Sequence, residues 1–141
     1  MTQPVLIFDD KLRIGQWVAD QTEQSASWGD FYAMGVERDG EIVAGFVFNN
    51  FNDSNATCHI AVTQMTKAFS ELLDHGFAYA FGQCGLKRLT GMVEAENEKA
   101  LKLDKHIGFE EEAVMKQAGS GGQDLHILVL WPQNYRKGKK V

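Results

Sequence analysis

From Met65 onward the apolar residues recur at steps of three and four: Met65, Ala68, Phe69, Leu72, Leu73, Gly76, Phe77, Ala80, Phe81 and Cys84. That period puts them on one face of a long amphipathic helix, which Gly85 stops. Upstream the pattern is shorter. "PVLIF" (4–8) is a short apolar run and predicts a strand; the aspartates behind it suit the start of a helix, in which Ile14, Trp17 and Val18 keep helical spacing. "TEQSASWGD" (22–30) is small and polar and predicts a loop or a short second helix. "FYAMGVERDGEIVAGFVFNNF" then reads as two strands joined by Asp39-Gly40, a dipeptide suited to a type I′ turn, and "ATCHIAVT" (56–63) adds a third.

Beyond the long helix, "LKRLTGMVEA" (86–95) predicts a strand, residues 96–107 a helix capped by Gly108, and "EEEAVMKQA" and "LHILVLW" two strands around "GSGGQD". The order β, α, β, β, β, α, β, α, β, β predicts an α+β domain: a mixed, mostly antiparallel sheet of about seven strands with helices on both faces. Strands on either side of a crossover helix can diverge. Where they do, backbone groups lose their ladder partners and become available to an extended ligand, and "HIAV" (59–62) and "RLTGM" (88–92) are the two segments placed to do so.

Composition narrows the class without naming a function. The chain has 141 residues, 44% hydrophobic and 23% charged, enough for one domain with its own core, expected over 1–133. Net charge is −5, yet the tail 134–141, "NYRKGKKV", carries four bases and no acid. The body is therefore acidic and disfavours non-specific nucleic-acid binding. Cys58 and Cys84 show no metal or CxxC spacing, no metal site is expected, and nothing resembles a leader or a membrane span. These readings point to a cytoplasmic protein, monomeric or homodimeric.

The segment "GFAYAFGQCGLKRLTGMVEAENEKALKLDKHIGFEEEAVMKQAGSGGQDLHILVL" gives an aromatic helix, a strand, an "N..A" corner, a helix, "GF", a strand, a hairpin and a strand. In that order it resembles the GNAT acetyltransferase superfamily, in particular its ribosomal-protein N-acetyltransferase-like branch and phage-encoded relatives. The resemblance implies a GNAT-like fold and an acetyl-CoA-dependent transfer of an acetyl group directly to a primary amine. It implies that the amide of Asn97 meets the pantetheine arm, with Ala100, Leu101 and Asp104 on overlapping faces of the following helix. The fourth strand, at Ile60, Ala61 and Val62, would lie along the cofactor and polarise the thioester carbonyl through a backbone N–H.

Two departures from the family pattern bear on activity. Many relatives bind the CoA pyrophosphate with a glycine-rich loop before the long helix; here the junction "TQMTKAFS" (63–70) has no glycine. Backbone N–H groups at Thr66, Lys67, Ala68 and Phe69 would have to serve, with the Lys67 charge nearby. The position of the family's tyrosine acid holds Asp104, which donates a proton only if its pKa is raised. His59 is the expected general base, since it lies on the fourth strand and titrates near neutrality, with Glu37 a second candidate. Alternation places Thr57, His59 and Ala61 on one face, opposite the wholly apolar Cys58, Ile60 and Val62, which are expected to face the core. Trp17 and Trp28 flank the segment that would wall the acceptor site. The rival expectation is a catalytically inactive GNAT-fold binding or assembly protein with weak or no CoA binding.

Overall fold

The structure, a computed structural model, describes residues 2–135; residues 136–141 of the basic tail lie outside the described part. Its elements are β1 (Val5–Ile7), α1 (Lys11–Gln21), β2 (Phe31–Arg38), β3 (Glu41–Asn49), β4 (Asn55–Val62), α2 (Lys67–Phe77), β5 (Arg88–Glu94), α3 (Glu98–Ile107), β6 (Glu110–Met115) and β7 (Leu125–Leu130). The seven strands form one sheet in the order β1-β2-β3-β4-β5-β7-β6. Among these strands only β4 and β5 run parallel, as the crossover through α2 requires. Residues 22–30 form a loop, without the second helix that was the alternative.

Each turn follows from its residues. Asp39 and Gly40 both adopt positive φ, 54° and 81°, as a type I′ hairpin demands. Gly108 ends α3 at φ 131°, where the Asn134 carbonyl oxygen would lie 2.2 Å from a Cβ, so no side chain fits. The predicted long helix is shorter and irregular: α2 starts two residues later, and Ala78–Gln83 widen into a π-helical turn with the Cys84 N–H bonded to the Tyr79 carbonyl at 2.8 Å.

Two cores flank the sheet. On one face α2 and α3 cover Met34, Phe46, Phe48, Cys58, Leu89 and Leu128; on the other α1 covers Ala33, Val47 and Ala61 with Trp28. The helices therefore occupy both faces. Tyr135, the last described residue, packs against the first core: its hydroxyl donates to the Asp74 carboxylate, and its ring meets Phe77 at a tilt with centroids 4.5 Å apart. Burial and that carboxylate raise the tyrosine pKa.

β4 and β5 stay paired for three rungs, Asn55↔Arg88, Ala56↔Leu89 and Thr57↔Thr90. Beyond them β4 remains bonded to β3 as far as Val62, and β5 to β7 as far as Glu94. The facing edges of residues 58–62 and 91–94 thus have no ladder partner: the divergence expected from the sequence is present, but on β5 it begins later than expected, since Arg88, Leu89 and Thr90 of the segment 88–92 are still paired and only Gly91 and Met92 lie beyond the last rung. Both α2 and α3 start at the open end, because each follows directly from one arm.

Candidate active site between the diverging strands

The closed end of the opening is fastened by side chains. Thr90 Oγ1 donates to Asn55 Oδ1 at 2.8 Å, and Arg88 reaches both Thr90 and, with two bonds at 2.8 and 2.9 Å, Glu112 of β6. The Arg88 guanidinium also lies over the Trp131 ring. These residues fasten the paired end of the two strands.

Asp104 reaches the opening from α3. It is 9% exposed, and its Oδ2 would lie 3.9 Å from a Cβ built on Gly91 of β5. Its charge also acts on Cys58 of β4, whose thiol is pushed well up by burial and by that carboxyl. The side chain therefore lies over β5 and within electrostatic reach of β4. Burial raises its pKa to about 7. No described residue hydrogen-bonds its carboxyl, and the sealed, unpartnered side-chain polar atoms among the described residues are Arg88 Nε and Gln123 Oε1, so the carboxyl keeps a narrow contact with solvent. A carboxylic acid half-protonated near neutrality can donate a proton, which an ordinary aspartate cannot.

The helix N-termini carry the expected residues with a narrower set of free donors. Thr66 caps α2: its hydroxyl accepts from the Phe69 N–H at 3.3 Å, while the Thr66 carbonyl takes the same N–H at 3.1 Å. Phe69, fully buried as a side chain, therefore offers no donor, and Thr66, Lys67 and Ala68 remain as backbone groups for an anion. Asn97 caps α3 through Oδ1, which accepts from the Ala100 N–H at 3.2 Å. Capping uses the oxygen alone; the exposed amide keeps its NH₂ donors for a ligand. Ala100 and Leu101 lie half-buried against the first core, as do Ile60 and Val62.

His59 departs from its expected surroundings. Its strand face is not a polar side but the second core: Trp28 packs on the imidazole with ring centroids 4.6 Å apart, and Nε2 lies 3.0 Å from Asn49 Oδ1. Burial lowers its pKa to about 4, so the ring is neutral across the physiological range. Glu37 is not brought to the opening. It sits on β2 next to a bulge and is held by Arg13 of α1 at 2.5 Å. The partner that sequence reasoning missed is Asn49, a strand-end asparagine with no motif to mark it.

Trp28 lines the His59 side, its Nε1 bonded to the Gly15 carbonyl at 3.1 Å, while Trp17 packs half-buried against the second core. On the same side Glu94, at the tip of β5, accepts from the Ser120 N–H and hydroxyl and from Gln123 Nε2, fastening the β6–β7 loop beside the opening. Among the described residues no group of three or more His, Cys, Asp or Glu is placed to hold a metal, and no helix is long and apolar enough to cross a membrane.

No protein-family model matches the chain, and no curated protein matches it in sequence. Solved structures do match in fold. Spermidine N-acetyltransferase from Vibrio cholerae, in complex with CoA and spermine, superposes with a TM-score of 0.70 at 16% identity, over 94% of this chain and 98% of that one. The spermidine/spermine N-acetyltransferase of the same organism, with manganese ions, gives 0.69 at 17% identity over 93% and 94%. Likeness at such identity is one of fold. The chain has the GNAT-like fold that these acetyltransferases share: an α+β, seven-stranded, mostly antiparallel sheet with helices on both faces.

Proposed function

We propose that the protein is an acetyl-CoA-dependent N-acetyltransferase that moves an acetyl group directly to a primary amine of a small molecule or protein. The observation that carries this reading is the buried Asp104, its pKa raised, beside Gly91 just beyond the last rung between β4 and β5. A buried acid at the point where two strands part serves no ladder and no ion pair, but it suits a thiolate leaving group. That one neighbouring fold is known with CoA and spermine supports the same chemistry.

The unpaired edges of residues 58–62 and 91–94 bond the pantetheine amides, with the Asn97 NH₂ adding a donor. The N–H groups of Lys67 and Ala68 and the Lys67 ammonium face the pyrophosphate. A backbone N–H near Ala61 or Val62 polarises the thioester carbonyl. The neutral amine attacks that carbon; once the C–N bond has formed, the nitrogen is strongly acidic, so a base as weak as His59 suffices to take its proton. Collapse breaks the C–S bond, and Asp104 gives its proton to the departing sulfur.

One observation favours a second reading, a catalytically inactive GNAT-fold binding or assembly protein, for example phage-related, with weak or no CoA binding. The α2 N-terminus lacks glycine and uses its Phe69 N–H internally. The two readings separate in an assay of thiol release from acetyl-CoA against a panel of primary amines. Amine-dependent release that falls in Asp104→Asn supports the enzyme; no release with any amine supports the binding protein.

A further inference from the structure

The loop before β2, the end of β3 and the middle of β4 meet in a polar chain centred on Asn49. Asn49 is 7% exposed; its Nδ2 donates to the Trp28 carbonyl at 3.3 Å, and its Oδ1 lies 3.0 Å from His59 Nε2. The Trp28 carbonyl can only accept. Turning the amide over would set two oxygens against each other, so Oδ1 must face the imidazole. An oxygen facing Nε2 in turn requires the proton to be on Nε2.

We infer that Asn49 is a positioning residue for His59: it holds the imidazole in the Nε2–H tautomer and leaves the Nδ1 lone pair as the group that receives a proton. The catalytic purpose of this arrangement rests on the acetyltransferase reading; the tautomer does not. Trp28 fixes the ring plane from the other side and is itself tied to the Gly15 carbonyl. Gly15 has no room for a side chain, since a Cβ would meet the Phe31 ring at 2.9 Å. Nδ1 has no hydrogen-bond partner among the described residues and is not one of the two sealed orphan atoms, so it reaches solvent. Burial alone perturbs the ring. The groups packed on it, Trp28 from the loop and Asn49 from β3, carry no charge, and no charged group of α1 or of β4 itself acts on it.

The test is imidazole ¹⁵N–¹H NMR of the full chain across pH, with His59 assigned by its loss in His59→Gln. The wild type is expected to show Nε2 protonated and Nδ1 bare. Asn49→Asp keeps an acceptor of the same size and adds a negative charge, so it should retain this tautomer and raise the His59 midpoint by about 1–3 pH units. Asn49→Leu should populate both tautomers. A wild-type Nδ1–H tautomer, or an unmoved midpoint in Asn49→Asp, overturns the inference. With acetyl-CoA and spermidine as the probe pair, Asn49→Leu should lose about tenfold or more in kcat while KM for acetyl-CoA stays within about twofold. Absence of any amine turnover in the wild type would count against the acetyltransferase reading, while the NMR tautomer still decides the role of Asn49.

Discussion

Asp104 Oδ2 lies over Gly91, 3.9 Å from where a Cβ would stand, so α3 delivers its buried acid onto the arm of β5 that has just left β4. With the carboxyl poised to about 7, activity should rise with pH as the amine loses its proton and fall above about 7 as Asp104 loses its own. Asp104→Asn cannot donate. Because a thiolate leaves readily, its kcat should drop toward the low end of general-acid effects, about 10–100-fold, and the alkaline fall should disappear from the pH–rate profile.

The same carboxyl sets a pH dependence of stability. The folded chain keeps the Asp104 proton where the unfolded chain, near 3.8, has released it, so this contribution is complete below about 3.8 and is lost as pH rises through 7. His59 has the opposite sense: its folded pKa of about 4 lies below the ordinary 6.5, so stability is lost as pH falls from 6.5 through 4. The two slopes oppose each other over that window. Urea titrations should find Asp104→Asn stability rising from pH 4 to 6.5 more steeply than the wild type's. They should also find it about 1–3 kcal/mol more stable at pH 8, where the wild type buries a charge.

At Gly76 packing, not chemistry, excludes a side chain. An added Cβ would stand 2.5 Å from the ring of Phe46, itself fully buried. Gly76→Ala should therefore destabilise the fold by about 1–3 kcal/mol despite the better helix propensity of alanine, read as a lower urea midpoint with unchanged m-value.

Thr66 closes one donor of the candidate pyrophosphate site with its own hydroxyl. Thr66→Gly removes the hydroxyl while the backbone carbonyl at 66 keeps its hold on the Phe69 N–H; the change costs only a few tenths of a kcal/mol as a cap, and its gain is the closer backbone approach that glycine permits. Calorimetry should show acetyl-CoA binding a few-fold tighter; weaker binding would mean that the hydroxyl contacts the ligand.

The two functions of Asn97 separate by substitution. Asn97→Ser keeps a capping oxygen for the Ala100 N–H and deletes the NH₂ donors. The melting temperature should stay within about 2 °C of the wild type while acetyl-CoA affinity falls about tenfold, the value of one hydrogen bond to a ligand amide.

Much of this architecture was legible because its signals are local. The 3.6-residue period found α2, Asp39-Gly40 the hairpin, Gly108 the end of α3, and the crossover order the parting of β4 from β5. Asp104 was marked by the resemblance alone, which puts the position four residues before Gly108 at the thiol end of the cofactor; what the structure adds is that this residue is buried beside Gly91. The surroundings of His59 were not legible. Alternation correctly separated it from Cys58, Ile60 and Val62, but its face is covered by Trp28, carried in by an irregular loop. Asn49 meets His59 only through strand pairing, and Glu37 is claimed by Arg13 from a separate helix, 24 residues away in sequence. Such contacts depend on tertiary placement, which no single window of the sequence encodes.

The central claim, that the opening between β4 and β5 takes acetyl-CoA, is tested most directly by isothermal titration of acetyl-CoA into the full chain, with pantetheine and ADP titrated separately. Binding of the whole cofactor is expected in the micromolar range, with markedly weaker binding of either half, since the two helix starts and the strand edges each hold a different part. Absence of heat with millimolar acetyl-CoA would contradict it and leave the fold as a scaffold for a different partner.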